Sequence, residues 1–206
     1  MNLRDSPMDP MPVYPLRFAP ICQYRPWGGR RLADLLSTPL PGDDPIGEAW
    51  LLSDREDHAS LVANGPLEGQ TLRQLLKQWP GPMLGKQAGR FERFPLLLKF
   101  LDAQATLSVQ VHPSDRQKAF LPPGESGKTE AWVVLEAGPE RIVYAGLKPG
   151  TTSADLRQAI TDRRVAEQLA SFRPKVGDGI FIPAGTVHSL GDLAKPGDPP
   201  ALPGWQ

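Results

Sequence analysis

The chain has 206 residues, 40% hydrophobic and 22% charged, enough for one domain with its own core. Its 23 basic and 23 acidic residues cancel, which excludes a dedicated nucleic-acid binder, since neutralising phosphates needs a basic excess. The single cysteine, Cys22, excludes an internal disulfide, and no apolar run approaches the roughly 20 residues of a membrane-spanning helix.

In chain order, residues 1–15 are rich in Pro and Met and are expected to be disordered. They lack the apolar core of a signal peptide or anchor, so a cytoplasmic protein is expected. Residues 25–31 read as a turn; the adjacent glycines lack the further spaced glycine and helix of a dinucleotide fingerprint. Residues 51–57 and 60–64 read as strand and turn. Within residues 70–79, Leu72, Leu75, Leu76 and Trp79 fall on one helical face, with Thr71 as the cap. Residues 96–101 predict a buried strand, 106–111 another strand, and 113–120 a short helix. Residues 130–135 and 141–145 predict a hairpin across Gly138-Pro139. Residues 152–170 predict a helix in two pieces, capped by Ser153, with Leu156, Ile160, Val165 and Leu169 turned inward. The last expected strands are 179–182 and 186–190, and the Pro- and Gly-rich residues 192–206 predict an unstructured tail. The ordered domain is therefore expected over residues 16–191.

Three segments carry chemistry: Gln110-Val-His112, Lys128-Thr-Glu130, and the run from Gly177 through Pro183-Ala-Gly185 to His188. Gln110 and His112 are two apart, and side chains in a strand alternate faces, so both point the same way. Pro113 pushes His112 toward extended backbone. The third run reads as strand, Pro-Ala-Gly turn and a second strand that delivers His188. Two imidazoles, one carboxylate and one amide suit zinc, with iron, manganese or cobalt as other occupants. One carboxylate against a divalent ion leaves a net positive site. Each residue alone could be an ordinary one; the joint spacing is what carries weight. His58 has no such context and reads as a solvated loop residue. Ser108 and Lys128 should share faces with Gln110 and Glu130, while Lys99 interrupts an apolar run. Glu48 reads equally as a pocket residue or a loop acid.

The spacing of the third run is similar to the second signature of the cupin barrels. The strings 107–113 (LSVQVHP), 127–132 (GKTEAW) and 182–191 (IPAGTVHSLG) resemble the short bacterial form of the type I mannose-6-phosphate isomerases. Arg25-Pro-Trp-Gly-Gly-Arg30, Gly47-Glu-Ala-Trp50 with Ser53-Asp54, and Phe94 to Asp102 match in order, so the likeness runs from Leu16 to Gly191. The resemblance implies a mainly β fold with helical insertions, a cupin-type jelly-roll barrel. It implies one zinc per chain on Gln110, His112, Glu130 and His188, Lys128 as the catalytic lysine, and Lys99, Ser108 and Glu48 for substrate binding. The implied activity is interconversion of mannose 6-phosphate and fructose 6-phosphate through an enediolate. The implied partner is thus a small sugar phosphate, with no nucleic acid or membrane, and a monomer is the default. The chain departs from the family at Ser114, where an acidic residue is usual, and it ends fifteen residues after Gly191. The family continues there into barrel strands with a catalytic arginine, so an incomplete barrel and impaired turnover are expected. The alternatives are a metal- or sugar-phosphate-binding cupin without turnover and an iron-dependent dioxygenase built on His112, Glu130 and His188.

Overall fold

The chain divides into two units after Asp102. The computed structural model describes residues 10–36 and 38–191, so the expected tail at 192–206 and the first nine residues lie outside the described residues. Among the described residues no helix is long and apolar enough to cross a membrane.

The first unit holds β1 (Ile21–Gly29), β2 (Ile46–Leu52), the short strands β3 (Asp54–Arg55) and β4 (His58–Ala59), helices α1 (Leu72–Gln78) and α2 (Pro80–Leu84), and β5 (Leu98–Leu101). β1 and β5 flank β2 in an antiparallel sheet, and β3 pairs with β4. The turn expected at 25–31 is instead mostly strand, bent by register shifts after Gln23 and Tyr24. Its glycines mark close approach rather than a turn. A Cβ on Gly47 would lie 2.6 Å from both Arg25 Cβ and the Trp27 ring, so glycine there lets β1 close on β2. The expected helix is α1, and Thr71 caps it in a reciprocal box with Gln74.

Leu32, Leu40, Ile46 and Ala49 form one core cluster. Val62, Leu67, Leu75 and Trp79 form another, against which Met11 and Tyr14 pack. The disorder expected up to residue 15 is therefore corrected for residues 10–15. There the Tyr14 hydroxyl donates to the Asn64 carbonyl at 2.9 Å and accepts from Leu67 N–H at 3.1 Å. The strand expected to be buried at 96–101 forms as β5, but Leu96 and Leu98 are exposed.

The second unit holds β6 (Glu130–Val133), β7 (Val143–Leu147), α3 (Ser153–Thr161), β8 (Leu169–Phe172), β9 (Gly179–Ile182) and β10 (His188–Leu190). β6 pairs with β9, and β7 lies between β10 and β8. The hairpin expected between 130–135 and 141–145 does not form. Val134 N–H donates to the Asp178 carbonyl and Gly177 N–H to the Val134 carbonyl, so β6 spends its backbone groups on the β9 side. Residues 106–111 reduce to a single bridge between Gln110 and His188, extended by Leu107 N–H to the Leu190 carbonyl. The helix expected at 113–120 is one 3-10 turn, Lys118–Phe120. Thr152, not Ser153, caps α3, boxed with Asp155. Of the residues expected to turn inward, Ile160 is exposed and Ala159 is buried in its place, while Leu169 is buried but begins β8 rather than ending a helix. No sheet closes into a barrel among the described residues.

Candidate metal centre

The Pro183-Ala184-Gly185 turn ties the site together. Gly185 has φ +91°, a conformation open to glycine at little cost. Its N–H donates to the His112 carbonyl at 2.7 Å, and Ala184 N–H donates to Thr129 Oγ1 at 3.2 Å. One turn thus grips both of the other ligand segments. β10 then begins at His188, held on one side by Ala145 of β7 and on the other by the exchange of backbone hydrogen bonds with Gln110.

His112, Glu130 and His188 each offer one ligand atom, and these atoms all lie within 4.8 Å of one another. His188 Nδ1 sits 2.8 Å from the Thr186 carbonyl. A carbonyl only accepts, so Nδ1 carries a proton, and in the neutral tautomer this leaves the lone pair on Nε2. That nitrogen lies 3.2 Å from Glu130 Oε2. Oε2 is buried and accepts no hydrogen bond from a described residue. With the ring in that neutral form, Nε2 and Oε2 face each other as two lone pairs, and a cation between them would make both of them ligands. The donor set, imidazole nitrogen and carboxylate oxygen with no thiolate, suits a divalent metal ion.

Lys128 Nζ stands 2.8 Å from Glu130 Oε1 and 3.2 Å from His112 Nε2. Burial of Glu130 opposes its ionisation, but its contacts with His188 and Lys128, with the charge of Lys128, outweigh that and pull the carboxyl down to about 2. Glu130 is a carboxylate throughout the physiological range. Gln110 Nε2 donates to Ser108 Oγ at 3.1 Å, which turns the nitrogen end of the amide to the serine and leaves the oxygen end for another partner. The two side chains share a face, as their spacing predicts.

Lys99 and Glu48 belong to the first unit and meet each other. Lys99 Nζ lies 2.7 Å from Glu48 Oε1, while Arg25 Nη2 at 3.0 Å and Trp50 Nε1 at 2.9 Å donate to Glu48 Oε2. Burial opposes Glu48 ionisation too; the Lys99 charge and hydrogen bond, with Trp50 and Arg25, hold it below the ordinary range. Glu48 is thus buried, not a solvated loop acid. His58 packs its ring 5.2 Å from that of Trp50. Arg25, Thr186 and Trp132 were not singled out by the sequence reading. Arg25 was hidden by taking its segment for a turn; Trp132 shares the Glu130 face by alternation, a signal that was available.

A family model for the catalytic domain of type I phosphomannose isomerase matches residues 16–128. The mannose-6-phosphate isomerase ManA of Bacillus subtilis is 37% identical over 181 residues, 88% of this chain and 56% of that protein. The mannose-6-phosphate isomerase of Streptococcus mutans is 35% identical over 165 residues, 80% of this chain and 50% of that one. The solved mannose 6-phosphate isomerase of Bacillus subtilis superposes with a TM-score of 0.78 at 31% identity, covering 86% of this chain and 55% of its own. The chain therefore spans about half the length of the curated relatives it matches. With the family model matching more than half of its residues, and a mainly β architecture shared with that solved enzyme, the chain belongs to the type I phosphomannose isomerase family, whose fold is of the cupin class.

Proposed function

We propose that this chain is a zinc-dependent aldose–ketose isomerase acting on mannose 6-phosphate and fructose 6-phosphate in the cytoplasm. The observation that carries the reading is the buried Glu130 Oε2, which accepts no hydrogen bond from a described residue and lies 3.2 Å from His188 Nε2 beside a second histidine. Gln110, His112, Glu130 and His188 would hold one zinc. When bound, the metal supplies a Lewis acid that favours negative charge on the substrate oxygens.

The rest is work for the side chains. Interconversion moves one proton between neighbouring carbons and passes through an enediolate, so cationic groups beside the sugar lower its barrier. Lys128 is placed to serve as such a group, its ammonium already held among the ligand side chains. A phosphate monoester needs charge-assisted donors: Ser108 and Lys128 are the candidates in the second unit, and Lys99 is taken by itself as a candidate of the first. Glu48 supports that role by fixing Lys99.

A coupled assay for fructose 6-phosphate formation from mannose 6-phosphate, on protein of known zinc content, tests this. Turnover that rises with zinc and disappears in His188→Ala supports the reading. Full zinc loading without turnover would replace it with a sugar-phosphate-binding cupin. Iron in place of zinc, in protein purified without added metal, would favour oxygen chemistry on the same two-histidine, one-carboxylate set.

A further inference from the structure

We propose that Trp132 is a positioning residue that holds His188 in its ligand orientation, an inference that rests on the metal reading of this site. Trp132 is two residues beyond Glu130 on β6, so alternation puts its indole on the carboxylate's face. It is half-buried, and its ring centroid lies 5.7 Å from that of His188 with the planes 76° apart. That is the edge-to-face arrangement preferred by aromatic quadrupoles.

The two residues come from different sheets of the second unit: Trp132 from the β6–β9 pair, His188 from the sheet centred on β7. The indole is therefore a contact between those sheets made at the ligand itself. Ring orientation matters here because the imidazole torsion is broad and two-fold. A half-turn about Cβ–Cγ would put Cε1 where Nε2 faces Glu130, and Cδ2 where Nδ1 meets the Thr186 carbonyl. The Thr186 hydrogen bond sets the tautomer. It constrains tilt about its own axis poorly; besides Glu130, the aromatic rings that meet the imidazole are His112, at 5.2 Å and 51°, and Trp132. His112 is itself a ligand, so Trp132 supplies the fixed wall.

The test compares Trp132→Leu, which keeps apolar bulk, with Trp132→Phe, which keeps an aromatic edge. The dissociation constant for zinc is measured on the full chain by competition with a chromophoric chelator. Thermal midpoints are measured on the same proteins in EDTA. An edge-to-face aromatic contact governs up to about ten-fold in affinity, and a loss of about ten-fold is expected for Leu. Phe should stay within about three-fold of the parent, with both EDTA midpoints close to the parent's. Leu and Phe variants that bind zinc alike overturn the proposal, as does a zinc loss that merely follows a fallen midpoint. A parent chain that binds no zinc overturns the metal reading and this proposal together; a parent and a Leu variant that bind equally well overturn this proposal alone.

Discussion

Glu48 in the first unit is buried and Glu130 in the second half-buried, each with a lysine ammonium 2.7 and 2.8 Å away, respectively. Both are held below the ordinary carboxylate range against the cost of burial. They differ at the second oxygen. Glu48 Oε2 accepts from Arg25 and Trp50, whereas Glu130 Oε2 accepts from no described residue and lies 3.2 Å from His188 Nε2. A carboxylate whose lone pairs are all engaged by fixed donors ties strands together; one with a buried oxygen still open is built for a ligand that is not part of the chain.

The widest separation between the two carboxylates is expected in metal content. Glu130→Ala and His188→Ala should lose nearly all bound zinc, while Glu48→Gln and His58→Ala keep about one per chain in elemental analysis. Equal retention in all four would erase the distinction. Glu48→Gln should instead cost stability, because it leaves Lys99 and Arg25 facing a neutral amide. Breaking a buried pair costs about 3–5 kcal/mol; with Lys99 and Arg25 side chains 22% and 15% exposed, about 3 kcal/mol is expected in urea unfolding. A Glu48→Gln protein as stable as its parent would show that the network carries no such weight.

The same contrast marks what was legible in the sequence. The convergence of His112, Glu130 and His188 was readable because its signals are local: the two-residue spacings that mark strand-like segments, and the Pro-Ala-Gly turn that fixes the entry to His188. The α1 cap was readable for the same reason. Partner choice was not. The turn signal at Gly138-Pro139 is real as local chemistry, yet β6 pairs with β9, about fifty residues on, through backbone groups that carry no side-chain code. Arg25 was missed likewise, since a glycine pair that lets two strands approach looks in sequence like one that turns the chain.

A smaller difference is expected between the lysines beside these glutamates. Lys99→Met and Lys128→Met should each weaken mannose 6-phosphate binding about ten-fold, since a charge-assisted contact is worth roughly 1.5–3 kcal/mol. Unphosphorylated mannose should bind almost unchanged in calorimetry. Lys99→Met should also destabilise the fold, because Glu48 is the more deeply buried partner, whereas the Lys128 side chain is 39% exposed. A variant that loses affinity for both sugars alike would assign its lysine to packing, not to the phosphate.

The smallest effect is one of pH, measured in EDTA so that zinc does not enter. The Glu130 carboxyl has a folded pKa of about 2 against an ordinary value of 4.5. A depressed folded pKa contributes stability that is fully present above the unfolded value and is lost as pH falls toward the folded one. The stability gap between the parent and Glu130→Gln should therefore be level from pH 7 to about 4.5 and narrow progressively toward pH 2. Glu48 is depressed in the same direction, so Glu48→Gln should show a gap that narrows in the same sense. The two carboxylates part when zinc is restored. The Glu130 gap at neutral pH should then widen, because the metal binds the folded parent and stabilises it by mass action, while the Glu48 gap stays where it was. A Glu130 gap indifferent to both acid and zinc would mean that its buried oxygen is an ordinary structural acceptor after all.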